Sequence, residues 1–330
     1  MTPSTRRHLL AAGAYLLLPL AAVQAHAQAA AFPDRASRVV VGFAAGGPTD
    51  NVARLVAKHL NEDLKQPFVV ENKAGAAGNI ATAEVIKAPP DGYTSLVASV
   101  NITINPAVME AVRSDARTVL KPVGPAAIAP TVLVVRNDFP ARSYAEFVEQ
   151  VRKEPGRFNS AAPGASPLVA TELFGQLTGT RITPVPYKGA APAMVDLIAG
   201  HVDLSFATLG SVLPHIKAGK VRALAVASSA RDPELPGVPT FAESGLPNFS
   251  FDAWVGLFVP ARTPGEVIAR INASLDTLVK SKAYAAQLAP MGMSPVIQGT
   301  PASFSALIDQ ETALYARLGQ SLKDKSLVPK

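Results

Sequence analysis

The residues able to do chemistry are few in this 330-residue chain, and their spacing suits holding an anion better than breaking bonds. Beyond residue 27 the only histidines are His59, His201 and His215. His59 falls on the apolar stripe of a predicted helix, and His215 follows a proline inside a helical run; both positions suit packing or capping. No Gly-x-Ser-x-Gly elbow is present. There is no His-Glu-x-x-His, paired-histidine or acidic-loop metal spacing. His201-Val-Asp203 could offer two ligands on one strand face, which is too few for a metal site. The absence of cysteine excludes disulfides, thiolate ligands and cysteine nucleophiles. There is no Walker loop and no Gly-x-Gly-x-x-Gly; Gly75-Ala-Ala-Gly78 is only a partial match.

Groups able to bind are more plentiful. Ala44-Ala45-Gly46-Gly47 lies between an apolar run, Arg38 to Phe43, and a helix whose Val52, Leu55, Val56, His59 and Leu60 share a face. Pro48 suits the first helical position, where its missing N–H costs nothing. Thr49 follows it, and Asp50 falls in the first turn, where a carboxylate is favoured. A strand feeding a glycine loop that opens a helix is an anion site if its N–H groups are bare, and otherwise an ordinary tight βα turn. Gly75, Ala77, Gly78 and Asn79 form a second backbone-rich loop at a helix start, and Ser99 and Asn101 end a third strand. Further on, Ser160, Gly164, Ala165 and Ser166 precede a helix beginning near Pro167, and Tyr187-Lys188-Gly189 closes another strand. Each cluster is weak alone, but all fall at the same topological end of two sets of elements.

Those elements alternate. Strands are expected near 38–43, 68–71 and 93–98, with helices near 48–60 and 79–87. A second set opens with Thr131 to Val135, continues with a helix from Ser143 to Lys153, and adds strands near 182–187, 202–207 and 222–227 with helices between them. This is the βαβ pattern of open parallel sheets, whose ligands sit beyond the carboxyl ends of the strands. Arg231 to Pro239 breaks the alternation as a proline-rich loop. After it come a strand from Phe251 to Val259 with the only tryptophan, Trp254, and two helical stretches near 263–281 and 301–318.

Residues 1–27 read as an export signal. Arg6 and Arg7 precede a short apolar run from Leu9 to Val23, and Ala25-His26-Ala27 is a small-x-small cleavage site. The paired arginines also fit the twin-arginine route. Without the signal, 29 basic residues face 25 acidic ones, a net charge of +4. The excess is scattered, so nucleic acid is not implied, and a modest positive field suits an acidic small molecule. About 300 remaining residues exceed one comfortable core, so two domains are expected.

Seven spaced groups of motifs then resemble one family in order. They include Gly46-Gly-Pro-Thr-Asp50, Val70-Glu-Asn72 with Gly75-Ala-Ala-Gly-Asn79, Ala88-Pro-Pro-Asp-Gly-Tyr93 and Asn105-Pro106. The series continues with Val185-Pro-Tyr-Lys-Gly189, Leu213-Pro-His-Ile-Lys-Ala-Gly219 with Arg222-Ala-Leu-Ala225, and Val238-Pro-Thr240 with Gly245-Leu-Pro247. The chain resembles a Bug-type extracytoplasmic receptor of tripartite tricarboxylate transporters from about Arg38 to Leu318. The resemblance implies an α/β, type II periplasmic-binding-protein fold: two lobes with mainly parallel sheets and a ligand cleft between them. The implied division is 32–127 with about 250–300 in lobe 1, 128–249 in lobe 2, and 301–322 a C-terminal helix packing back across both. It implies a periplasmic monomer that captures a small carboxylate for the membrane components of the transporter, without cofactor, metal or catalysis. A ligand-sensing partner of a two-component sensor is the alternative, and a periplasmic hydrolase or isomerase a more distant one.

Carried onto this sequence, the family's first lobe would grip a carboxylate through backbone N–H groups and bridging waters of the loops holding Ala45, Gly46, Gly47, Thr49, Gly75, Ala77, Gly78 and Asn79, with Phe43 packing against the ligand and Ser99 and Asn101 lining the same lobe. Its second lobe would add Ser160, Gly164, Ala165, Ser166, Tyr187 and Thr208. Leu168 stands where the family often has histidine, and Ala207 where a polar residue, often aspartate, is common. Met109-Glu110 and Ser114-Asp-Ala116 replace another polar region. The ligand expected is a carboxylate with an apolar or aromatic remainder rather than citrate or an amino acid.

Overall fold

The computed structural model describes residues 32–324 apart from 110–114, 188, 250 and 297–298. The export signal, Lys188 and most of the replaced region at 110–116 lie outside the described residues. In chain order the first elements are β1 (Ser37–Val41), α1 (Pro48–Leu64), β2 (Phe68–Asn72), α2 (Asn79–Ile86), β3 (Thr94–Ser99), α3 (Asn101–Val108), α4 (Ala116–Val119) and β4 (Leu120–Arg136). There follow α5 (Tyr144–Lys153), β5 (Asn159–Ala162), α6 (Ala165–Thr178), β6 (Thr183–Pro186), α7 (Ala190–Ala199), β7 (Leu204–Thr208), α8 (Leu209–Lys217) and β8 (Val221–Ala227). The chain returns through β9 (Asp252–Pro260), α9 (Gly265–Val279), α10 (Lys282–Leu288), β10 (Ser294–Pro295) and α11 (Pro301–Asp324).

β4 organises the molecule. Leu120 to Pro130 pairs antiparallel with β9, and Thr131 to Arg136 pairs antiparallel with β7 and β8. On the first side β9 continues to β3, β1 and β2, the last three running parallel. On the second side β7 continues parallel to β5, and β5 to β6. The sheets are therefore mixed: β2, β1 and β3 run parallel, as do β6, β5 and β7, and every pairing of β4 and β9, including those of β4 with β8 and β10, is antiparallel. The sequence suggested a strand only at 131–135, because Pro122, Pro125 and Pro130 argue against a continuous one. The register slips between Pro122 and Gly124 and between Pro125 and Ala127, so irregularities absorb the missing donors.

Alternation along the strands fixes three cores. Val39 and Val41 meet Val52, Val56 and Leu60 of α1 and Ile271 and Leu275 of α9. Val132 and Val134 meet Leu197 of α7 and Val212 of α8. Val40, Leu96, Leu133 and Val135 face the other way, into one aromatic-rich core that also holds Phe174, Phe206, Phe241, Trp254, Phe258, Phe304 and Tyr315. That shared core brings α11 against α3, α6 and β4.

Candidate functional site

The first loop is tied down by a carboxylate. Gly47 is extended and delivers Pro48 to the first turn of α1. The Asp50 side chain is fully buried. Its Oδ2 accepts from the Gly46 N–H at 2.8 Å and from Arg54 Nε at 2.8 Å, and its Oδ1 accepts from Asn72 Nδ2 at 2.8 Å. Asn72 Nδ2 also reaches the Phe43 carbonyl at 3.0 Å. Burial works to raise the Asp50 pKa, but the hydrogen bonds from Arg54, Asn72 and Gly46 prevail and hold it below the usual carboxylate range. The loop is thus less bare than its sequence suggests. The Gly46 N–H is engaged by Asp50, and the Gly47 N–H faces the Ala44 carbonyl at 3.4 Å. The donors left open are the N–H groups of Thr49 and Asp50, which begin the helix and have no carbonyl one turn earlier to meet.

The second loop is a left-handed turn. Ala76 (φ 46°) and Ala77 (φ 52°) sit between Gly75 (φ 137°) and Gly78 (φ 93°). Each alanine costs roughly 1–2 kcal/mol in that conformation. The turn is held by Gly78 N–H on the Gly75 carbonyl at 3.0 Å, Asn105 Nδ2 on the Ala77 carbonyl at 3.0 Å and Asn79 Nδ2 on the Ala76 carbonyl at 2.6 Å. The two loops touch because residue 42 is glycine: a Cβ there would lie 2.6 Å from Gly78 Cα.

Both loops border a cleft of about 650 Å³. Of the residues singled out from the sequence, Phe43, Gly46, Thr49, Ala77, Ser99 and Asn101 line it from the first side, and Gly164, Ala165, Ser166 and Thr208 from the second. Ala45, Gly47, Gly75, Gly78, Asn79, Ser160 and Tyr187 do not line it. Asn79 is turned back onto its own loop. Ser160 is wholly buried, its hydroxyl 3.0 Å from Thr171 Oγ1. The Tyr187 hydroxyl donates to Asp196 Oδ2 at 2.6 Å, and burial, with that carboxylate second, raises its pKa to about 12.

The sequence reading missed much of the remaining wall, notably Thr131, Ser205, Met194, Trp254, Met291 and Met293. For Trp254 the missing signal was strand direction. β9 runs antiparallel to β3, with Val255 opposite Ser99, so the beginning of β9 lies beside the carboxyl end of β3. The first turns of α1, α3, α6, α7 and α8 all contribute to the cleft wall. Among the described residues that line the cleft, none is ionisable. Five helix starts without a charged side chain in the lining make a weakly positive, largely apolar chamber, suited to an anion on an apolar body.

Comparison with known proteins agrees with this geometry. The model of the tripartite tricarboxylate transporter family receptor matches residues 52–323. Protein BugT of Bordetella pertussis is 35% identical over 309 residues, covering 91% of this chain and 93% of that protein. A solved R. palustris structure with adipate is 34% identical with a TM-score of 0.74, covering 88% of this chain and 97% of that one. MatC from Rhodopseudomonas palustris with bound malate is 32% identical with a TM-score of 0.72, covering 87% and 100%. The chain belongs to the receptor family of the tripartite tricarboxylate transporters.

Proposed function

We propose that this receptor captures a small carboxylate with an apolar or aromatic body in the periplasm and presents it to the membrane components of its transporter. The observation that carries the reading is the start of α1, where Thr49 lines a chamber in which no described lining residue is ionisable. The N–H groups of that start, with Ser99 and Asn101, hold the carboxylate, and Met194, Met291 and Met293 cover its apolar part. Solved relatives bind adipate and malate, which supports an acid as the ligand.

Capture proceeds by closure of two lobes, 32–127 with about 250–300, and 128–249, about the crossings at β4 and β9. Closing excludes water and strengthens every contact to the anion. No described helix is long and apolar enough to cross a membrane, and residues 1–27 act as the export signal. The receptor works as a monomer without cofactor or catalysis.

The test is a thermal-shift screen of the chain from Gln28 against aromatic acids, aliphatic monocarboxylates, dicarboxylates, citrate and acidic amino acids. A ligand at a hundred times its dissociation constant adds about 2.7 kcal/mol, roughly 5 °C here. A shift with an aromatic or aliphatic acid is expected. A shift with citrate alone would contradict the apolar-body reading, and no shift with any acid would contradict the carboxylate.

A further inference from the structure

Two glycines meet where the walls of the cleft come together beside β4. Gly210 lies in the first turn of α8, whose Leu209 and Val212 belong to the core built on Val132 and Val134. Gly292 lies between Met291 and Met293, which pack in the core built on Val39 and Val41. A Cβ on Gly292 would stand 2.5 Å from Gly210 N and 2.6 Å from Gly210 Cα. A Cβ on Gly210 would stand 3.0 Å from the Met291 carbonyl carbon and closer still to its oxygen. The two backbones are therefore in direct contact, and they join two separate cores. Gly210, Met291 and Met293 all line the cleft.

The register of β4 places this contact. Ile128 pairs with Ser294, two residues after Gly292, and Thr131 pairs with Thr208, two residues before Gly210. The glycines thus meet alongside the stretch 128–131, where β4 passes from one core to the other. Both partners are stiff. Gly292 (φ 62°) closes a left-handed turn, with its N–H on the Ala289 carbonyl at 2.9 Å and the Met293 N–H on the Leu288 carbonyl at 3.3 Å. The start of α8 is tied by Ser211 Oγ, which donates to the Thr208 carbonyl at 2.7 Å, and by Thr208 Oγ1, which donates to Ser211 Oγ at 3.2 Å. Interlocked side chains would have to be pulled apart for two packed bodies to turn against each other. Two bare backbones can turn without that loss, which suits a hinge.

We propose that Gly210 and Gly292 are positioning residues: their contact is the bearing on which the two walls of the cleft turn as it closes. The proposal rests on the reading of capture by closure given above. A methyl group on either side acts as a wedge. Carbon atoms pack at about 3.5–4.0 Å, so an added Cβ must push the backbones apart by about 1 Å. The displacement opens the cleft and grows toward the rim, away from β4.

The chain has no cysteine, so two can be introduced for spin labels without competition. Lys58 of α1 and Val195 of α7 are exposed, on helices whose first turns line opposite sides of the cleft. Lys58→Cys and Val195→Cys carry the labels, and double electron–electron resonance measures their separation in the ligand-free chain. The labelled pair is compared alone and with Gly210→Ala, Gly292→Asn or Gly265→Ala. Alanine is a better helix former than glycine, and asparagine tolerates a left-handed backbone, so neither wedge strains its own element. Gly265 opens α9 with nothing near its Cβ position and serves as the control. Gly210→Ala and Gly292→Asn should each lengthen the mean separation by at least about 2 Å, the wedge being magnified toward the rim. Gly265→Ala should leave it unchanged. A folded wedge variant with the separation of the unsubstituted pair overturns the proposal. If circular dichroism shows one wedge variant unfolded, the other decides. If neither folds, the contact is a fixed part of the core and no bearing, which also overturns it. Benzoate and adipate are then added to the labelled pair. If an acid that raises the melting temperature leaves the separation unchanged, the closure reading fails. If it shortens the separation to the same value with and without the wedges, the bearing alone fails.

Discussion

Asp50, fully buried, and Glu311, half-buried, are acids that each bond to a residue or loop bordering the cleft, and the protein gives them opposite surroundings. Asp50 receives the Gly46 N–H, the Asn72 amide and the Arg54 guanidinium, so it stays ionised although none of its surface is exposed. Glu311 receives one indole N–H and the neighbourhood of a hydroxyl, with another carboxyl nearby, so burial drives it toward the neutral form. What decides the charge of a buried carboxyl here is the number and polarity of donors aimed at it. The same rule governs an incoming ligand. On the proposed reading the start of α1, with Ser99 and Asn101, would supply donors to a carboxylate, while Met194, Met291 and Met293 would cover its apolar part.

The comparison breaks most sharply at Asp50. Asp50→Ala leaves the Asn72 amide, the Gly46 N–H and Arg54 without their shared acceptor and frees the first loop. Urea unfolding should show a loss of about 3 kcal/mol, together with loss of carboxylate binding. A loss below about 1 kcal/mol would mean that the exposed Arg54 pair is the whole of the interaction.

Opposite pH slopes sharpen it next. Asp50 has a lowered pKa, so its contribution is present above the ordinary carboxylate range and is lost as pH falls through its folded value. Glu311 and Asp252 have raised values near 7, so their contribution is intact below the ordinary carboxylate range and is lost as pH rises toward 7. Glu311→Gln should therefore lose less stability between pH 5 and pH 8 than the wild type. Equal losses in chemical denaturation would contradict the assignment.

The smallest effect belongs to the second loop. Ala77 adopts a left-handed conformation at φ 52°, which glycine accepts more readily. Ala77→Gly should stabilise the fold by about 0.5–1 kcal/mol. A destabilised variant in the same denaturation assay would show that the methyl group packs usefully in the cleft wall.

Much of the first wall was legible in the sequence. The strand, glycine loop and proline-started helix at 38–64 have local causes, and the structure places them as read. The second wall was less legible because its geometry depends on distant pairings. Ser160 lies inside β5 with its hydroxyl against Thr171, and Tyr187, just past β6, spends its hydroxyl on Asp196. Trp254 reads as a core aromatic and its side chain is buried in that core, while the antiparallel pairing of β3 and β9 brings its strand position to the cleft. Met291 and Met293 reach the cleft because Gly210 and Gly292 permit a backbone approach that a Cβ at either position would block. None of these contacts has a signature in the residues that flank it.

The central claim is that open backbone donors at the start of α1 hold a carboxylate. The most direct test is calorimetric titration of the best-binding acid beside its primary amide, which has the same shape and no charge. The carboxylate should bind roughly a hundredfold tighter, as expected when charge-assisted hydrogen bonds replace neutral ones. Equal affinities for acid and amide would contradict the claim, because the cleft would then be reading the apolar body alone.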